Sequence, residues 1–276
     1  MNPRSSHSTS LFAFVRSTLK NRVLVSQMVK REVVGRYRGS FIGLGWSFLN
    51  PIFMLAIYTF VFSVVFQARW DSSVEESKTQ FALVLFVGLI VHGLFAEVAN
   101  RAPLLIQGNV NYVKKVLFPL DILPVVSMGA TLFHVLVNIT VLLCVFFVSH
   151  GYIHWTVIFT PIVLFPLVLL TLGIALILAS LGVYMRDIGQ SIGIVTTVML
   201  FMAPIFYPVA KLPENYQTLL MLNPLTFIIQ QARRVIMFGQ LPNWEGLAIY
   251  TMVSLIIVWV GYWWFQKTRK GFADVL

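Results

Sequence analysis

The chain has 276 residues, of which 58% are hydrophobic and 11% charged, with a mean hydropathy of +0.83. Soluble domains carry about 25% charged residues, so this composition is that of an integral membrane protein. A single cysteine, Cys144 in an apolar run, excludes an internal disulfide or a cysteine metal cluster and argues against redox chemistry. The net charge of +10 follows readily from membrane topology and anionic headgroups, so no nucleic-acid partner is expected.

In chain order, residues 1–10 are polar. The following LFAFVRSTLKNRVLV carries basic residues throughout, with no apolar core leading to a small-residue cleavage site. It does not read as a signal peptide, and the N-terminus is expected to be retained. Leu11, Val15, Leu19 and Val23 share one helical face, with Arg16, Lys20, Lys30 and Arg31 available to headgroups. This predicts a basic amphipathic interface helix over 11–34, lying on the inner membrane surface.

A transmembrane helix needs about 20 apolar residues. Six segments qualify: 46–66, 81–99, 122–148, 155–183, 189–208 and 246–265. The fourth and fifth are separated by YMRDIGQ (184–190). One charge at the centre of a span costs about 2.5–3.5 kcal/mol, so this stretch marks a turn outside the bilayer. The segment 100–121 reads as a hairpin on the same side. With six spans, fifteen of the 20 Lys and Arg residues fall on the side shared by the termini, which places both termini and YMRDIGQ in the cytoplasm.

Residues 209–245 form an outer segment containing NPLTFIIQQARRVIMFG. Asn223 suits an N-cap, Pro224 the first helical position and Gly239 the stop. This helix is too short and too charged to span, and it is expected to dip into the outer leaflet or cap the path. The fold class is therefore an all-α polytopic membrane protein of six spans, with an interface helix before them, capping helices between spans five and six, and a cytoplasmic tail over 266–276. The whole of 1–276 forms one transmembrane domain. There is no internal repeat of the kind that builds secondary transporters.

Catalytic motifs are sparse. The sequence holds no GxxxxGK[ST] or HExxH and no paired carboxylates within a span, so energy should come from another subunit. Glu97, four residues before Arg101, reads as an i,i+4 ion pair, with a polar element of a substrate path as the alternative. His92, His134 and Asn138 read as interhelical hydrogen-bonding groups. Gly189 and Gly193 would permit close helix approach, and Pro204 and Pro208 would break the outer turn of the fifth span.

Four stretches carry a resemblance: RYRGSFIGLGWSFLNP (36–51), NYVKKVLFPLDILP (111–124), YMRDIGQ and NPLTFIIQQARR (223–234). Together, in this order and over almost the whole chain, they resemble the ABC-2 type permeases that export polysaccharides, especially the O-antigen and teichoic acid branch. One departure is that Leu120 and Asp121 follow Phe118-Pro119 where the family pattern has a basic residue.

The resemblance implies the permease subunit of an ATP-driven exporter of lipid-linked polysaccharide in the inner membrane. Such a chain is not itself an enzyme. It would work as a homodimer with two copies of an ABC ATPase subunit, which would bind ATP and Mg, and it would hold no cofactor of its own. Tyr184, Arg186 and Asp187, with Lys114 and Lys115 of the hairpin, would couple to the ATPase. The plain alternative is that Arg186 and Asp187 end two helices and set topology.

A glycan path favours aromatic faces. Tyr58, Phe62 and Phe66 fall four apart on one face of the first span, and Trp46, Phe53 and Phe60 fall seven apart on another. Tyr58, Phe62 and Phe66 with Phe206 and Tyr207 are the candidate aromatic constriction near the outer side, with packing or lipid contact as the alternative for each. Export of teichoic acid, capsule, drugs or lipids, an ion-coupled carrier and a membrane-embedded glycan-processing enzyme are the competing functions.

Overall fold

The computed structural model describes residues 9–65, 78–113, 118–185, 187–209 and 213–276, and among them there is no β-strand. The helices are α1 (Leu11–Lys20), α2 (Arg22–Arg36), α3 (Trp46–Tyr58), α4 (Lys78–Arg101), α5 (Val110–Val113), α6 (Leu123–His150), α7 (Thr160–Tyr184), α8 (Ile188–Met202), α9 (Glu214–Met221), α10 (Pro224–Ile236), α11 (Trp244–Thr268) and α12 (Phe272–Val275). Among the described residues, five stretches are long and apolar enough to cross a membrane: Gly43–Phe62, Thr79–Leu104, Leu120–His150, Trp155–Tyr184 and Trp244–Val275.

The expected interface helix over 11–34 is in fact two helices. The break falls at Asn21, whose side-chain amide donates to the Ser17 carbonyl (2.8 Å) and competes with helical continuation. Phe14 anchors α1 by packing on Tyr262 at 5.1 Å between ring centroids, while Leu19 and Val23 are 62% and 64% exposed. The first expected span also differs. Beyond Tyr58 the helix widens into a π-helical stretch, Thr59–Val65, and Thr59 Oγ1 donates to the Leu55 carbonyl (2.8 Å). The fifth expected span, 189–208, is helical only as α8, because Ala203 is extended ahead of Pro204.

Local sequence explains several termini. Gly151 ends α6 in the left-handed conformation (φ +77°), its N–H donating to the Phe147 carbonyl (2.7 Å). Asn223 caps α10 by accepting from the Leu225 N–H (3.0 Å), with Pro224 at the first position as expected. Asn243 caps α11 in the same manner, through the Gly246 N–H (2.9 Å).

The main apolar core is built on α4, which buries Phe81–Val87, Ile90, Val91, Leu94 and Val98 against α6, α7 and α10. A second core at one end of the bundle gathers Phe14, Ile106, Leu120, Val183, Tyr262, Phe265 and Phe272, so both terminal regions lie at that same end. Helices α7 and α11 pack backbone to backbone: a Cβ on Gly261 would stand 2.3 Å from the Gly173 carbonyl oxygen. Small residues at such crossings let helices approach without a hydrophobic driving force. The expectation of close approach at Gly189 and Gly193 is corrected, because nothing lies within 4 Å of a Cβ at Gly193 and only Pro103 Cβ, at 4.0 Å, faces Gly189.

Candidate functional site

At the end of the bundle away from the termini, the π-helical stretch turns Phe62 toward α4 and toward the turn after α8. Phe62 stacks on Phe206 (6.0 Å, 26°) and leans on Phe81 (5.6 Å), and Phe206 stacks in turn on Phe201 (5.8 Å). Tyr207 closes this turn by donating from its hydroxyl to the Phe201 carbonyl (2.9 Å). Of the sequence-derived aromatic set, Phe62, Phe206 and Tyr207 come together. Tyr58 lies a turn away, lining a cleft of about 210 Å³ with Asn50 and Asn138, and Phe66 lies outside the described residues. The heptad-spaced residues Phe53 and Phe60 point outward, at 55% and 59% exposure. Sequence reasoning missed Phe81 and Phe201, neither of which repeats with the first-span aromatics.

A buried cation fixes this turn. Arg233 of α10 is 4% exposed and donates to three backbone carbonyls: Val84 (3.0 Å), Pro204 (2.6 Å) and Ile205 (3.0 Å). Burial pushes its guanidinium down to about 9, which leaves it charged at neutral pH. The Pro204 and Ile205 carbonyls lie in the turn past the end of α8, where no helical donor follows, and the Val84 carbonyl lies within α4.

At the terminal end, the segment after α4 docks on α7. A Cβ on Gly182 would stand 2.1 Å from the Pro103 carbonyl oxygen, and the Gln107 side-chain amide donates to the Gly182 carbonyl. Two residues on, the Tyr184 hydroxyl donates to the Thr268 carbonyl (2.7 Å), and its ring meets Phe272 of α12 at 6.1 Å. Ser180 Oγ and Thr268 Oγ1 share a 2.5 Å hydrogen bond beside it. Arg269 donates to the Phe118 carbonyl (3.1 Å) and faces the buried Asp121 carboxylate at 3.9 Å. Asp121, where the family pattern is basic, thus meets a base from the C-terminal tail. The sequence marked 266–276 only as a tail, and the acid at 121 was the available signal for this contact.

Asp187 is exposed just before α8, with its backbone carbonyl accepting from the Ser191 N–H (3.1 Å). Arg186, Lys114 and Lys115 lie outside the described residues.

The expected Glu97–Arg101 pair is present at 3.7 Å, within a larger network. Glu97 also accepts from Arg36 and lies 3.6 Å from His134 Nδ1, while Arg101 binds Glu32. Arg36 donates to His134 Nδ1 (3.2 Å), and the Tyr37 hydroxyl meets His134 Nε2 (3.3 Å). These bonds tie α2 to α4 and α6. His92 also acts between helices, donating to the Thr196 carbonyl of α8 (2.9 Å).

The sequence is similar along its length to several curated proteins. It is 27% identical over 266 residues to the O-antigen export system permease protein RfbA of Myxococcus xanthus, covering 96% of this chain and 99% of that one. An RfbA of Klebsiella pneumoniae is 27% identical over 258 residues, covering 92% of this chain and 95% of its own length. The polysialic acid transport protein KpsM of Escherichia coli is 24% identical over 243 residues, covering 87% and 91%. Residues 23–238, most of the chain, match the model of the ABC-2 type transporter. With its long apolar helices and its full-length likeness to permeases, this chain belongs to the ABC-2 type transporter family and is a transmembrane permease.

Proposed function

We propose that the chain is the permease subunit of an ATP-driven exporter of lipid-linked O-antigen-type polysaccharide in the inner membrane. The observation that carries this reading is the end-to-end similarity to relatives named as O-antigen export permeases. Capsule polysaccharide is the second reading, favoured by the weaker similarity to KpsM and to the capsule polysaccharide export protein CtrC of Neisseria meningitidis. The permease would work as a homodimer with two copies of a separate ATPase that binds ATP and Mg.

In this reading the chain is one domain crossing the membrane six times, with both termini cytoplasmic. Two features support an even count. The terminal regions share one core, and α8 starts opposite Pro103 while the turn after it reaches Arg233, bonded to Val84. Val84 and Pro103 stand roughly 28 Å apart along α4 and the helical turn that follows it, at about 1.5 Å per residue, so α8 and its turn together cover about one bilayer core. Helices α9 and α10 then form the outer cap.

Coupling to the ATPase would run through the 102–121 segment, including Lys114 and Lys115, and through Tyr184, Arg186 and Asp187. Gly182 and the C-terminal tail hold these two parts together. The stack Phe62–Phe206, edged by the outward Phe60 and Phe201, would form the aromatic constriction over which sugar C–H faces slide. Joint replacement Phe62→Ala, Phe206→Ala is expected to lower surface polymer roughly tenfold, equivalent to about 1.4 kcal/mol. It should leave the amount of membrane-inserted protein near wild type, and unchanged export in that variant would remove the constriction from the path.

The function itself is tested by depleting the protein and quantifying lipid-linked polymer inside the cell against polymer at the surface. Cytoplasmic accumulation with surface loss is expected, rescued by wild type and not by Arg186→Ala, Asp187→Ala at equal expression. An unchanged polymer distribution on depletion would send the assignment to a drug or lipid exporter.

A further inference from the structure

A cleft of about 370 Å³ opens beside the turn that carries Phe206 and Tyr207. One wall is Pro208, directly after that turn. The other is Gln230, Arg233 and Arg234 of α10, with Phe238 and Gln240 from the segment that leaves it. Small-molecule sites occupy about 300–1,000 Å³, so the space fits one or two sugar rings.

The frame of the cleft is held by backbone bonds. Arg233 is fixed by its three carbonyls, the Gln240 N–H donates to the Arg234 carbonyl (2.9 Å), and Gln231 Oε1 accepts from the Asn243 N–H (2.8 Å). Gly239, at φ +64°, turns the chain so closely over His154 that a Cβ would stand 2.5 Å from its Nδ1. A site whose groups are already placed saves the ordering cost that weak ligands cannot meet.

The chemistry of the lining is specific. It brings two guanidinium-bearing residues to one cleft, one of them buried, and no carboxylate lines it among the described residues. Such a lining favours an anion, and an exposed arginine such as Arg234 can bind a carboxylate or phosphate by two parallel N–H bonds. The amides of Gln230 and Gln240 both donate and accept, as sugar hydroxyls require. Phe238, 40% exposed, and Pro208 supply apolar surface for the C–H face of a ring.

Resting on the glycan-export reading, we propose that this cleft is a binding subsite for an acidic sugar residue of the exported chain, next to the Phe62–Phe206 pair. Only weak binding serves such a place, because each residue must move on.

The test uses the full-length chain in nanodiscs of phosphatidylcholine, with saturation-transfer NMR of two soluble probes, a galacturonate trisaccharide and maltotriose. The acidic probe is expected to bind in the millimolar range and the neutral one about tenfold more weakly, the scale of one charge-assisted contact. Arg234→Gln should remove that difference while leaving maltotriose unchanged, and Phe238→Ala should weaken both. Arg234 and Phe238 are both exposed, and Gln240→Ala, also at an exposed position, gives an independent variant that should weaken both probes.

Equal binding of the two probes, or a preference that survives Arg234→Gln, would overturn the subsite. So would loss of the acidic probe when phosphatidylglycerol is added to the nanodisc, which would assign the cleft to lipid headgroups. Binding is read here without transport. Export that persists with no sugar binding sinks the subsite alone, and acidic-sugar binding with unchanged polymer on depletion sinks the glycan-export reading.

Discussion

Arg233→Ala is expected to be the most damaging single substitution outside the membrane-spanning helices. The guanidinium donates to the carbonyls of Val84, Pro204 and Ile205 in a site only 4% exposed. Removing the donor from so buried a site leaves three acceptors without it and opens a cavity where the side chain stood. A loss on the order of 3–5 kcal/mol is expected, the scale seen when one partner of a buried charged network is deleted. The measurement is thermal unfolding of the detergent-purified chain, with the monodisperse fraction as a second readout.

Arg233→Lys should recover only part of the loss, because an ammonium cannot reach three carbonyls in the planar fork geometry of a guanidinium. Arg234→Ala, one residue along and exposed, should change stability by no more than about 0.5 kcal/mol. Wild-type stability in Arg233→Ala would show that the turn at Pro204 and Ile205 is held by packing instead.

Gly182→Ala is expected to abolish export while leaving the chain inserted. The added methyl would stand 2.1 Å from the Pro103 carbonyl oxygen and 2.6 Å from its Cα, so backbone must move. Overpacking of this kind costs about 1–3 kcal/mol. Its position makes the functional effect larger: Gly182 lies two residues before Tyr184 and is where the segment after α4 meets α7. Separating them would uncouple the two parts proposed to face the ATPase.

The expected result is at least a tenfold drop in surface polymer, about 1.4 kcal/mol in rate terms, at wild-type membrane abundance. Gly193→Ala is the matched control. Its new methyl meets nothing within 4 Å, and alanine in a helix interior gains up to about 1 kcal/mol over glycine. Equal export by the two variants would dissociate the Gly182–Pro103 contact from coupling.

Residues with local consequences were legible. Hydropathy located the long apolar helices, because each must bury about 20 consecutive apolar side chains whatever surrounds it. The Asn223-Pro224 start of α10 was read correctly, since caps act within one turn. The His92 and His134 bonds between helices followed from the cost of leaving such groups unpaired in a bilayer.

What the sequence determined by itself was therefore the membrane class, the order of the helices and the polysaccharide-permease resemblance, all carried by composition and short-range pattern. The tertiary structure decided which pairs meet. It set Gly182 against Pro103 and Gly173 against Gly261 in place of the Gly189–Gly193 spacing, Phe62 on Phe206, Asp121 near Arg269, and Arg233 under the turn that ends α8. These partners lie tens of residues or more apart, and no local periodicity encodes them. They arise because buried carbonyls and charges must be satisfied by whatever group packing brings within reach.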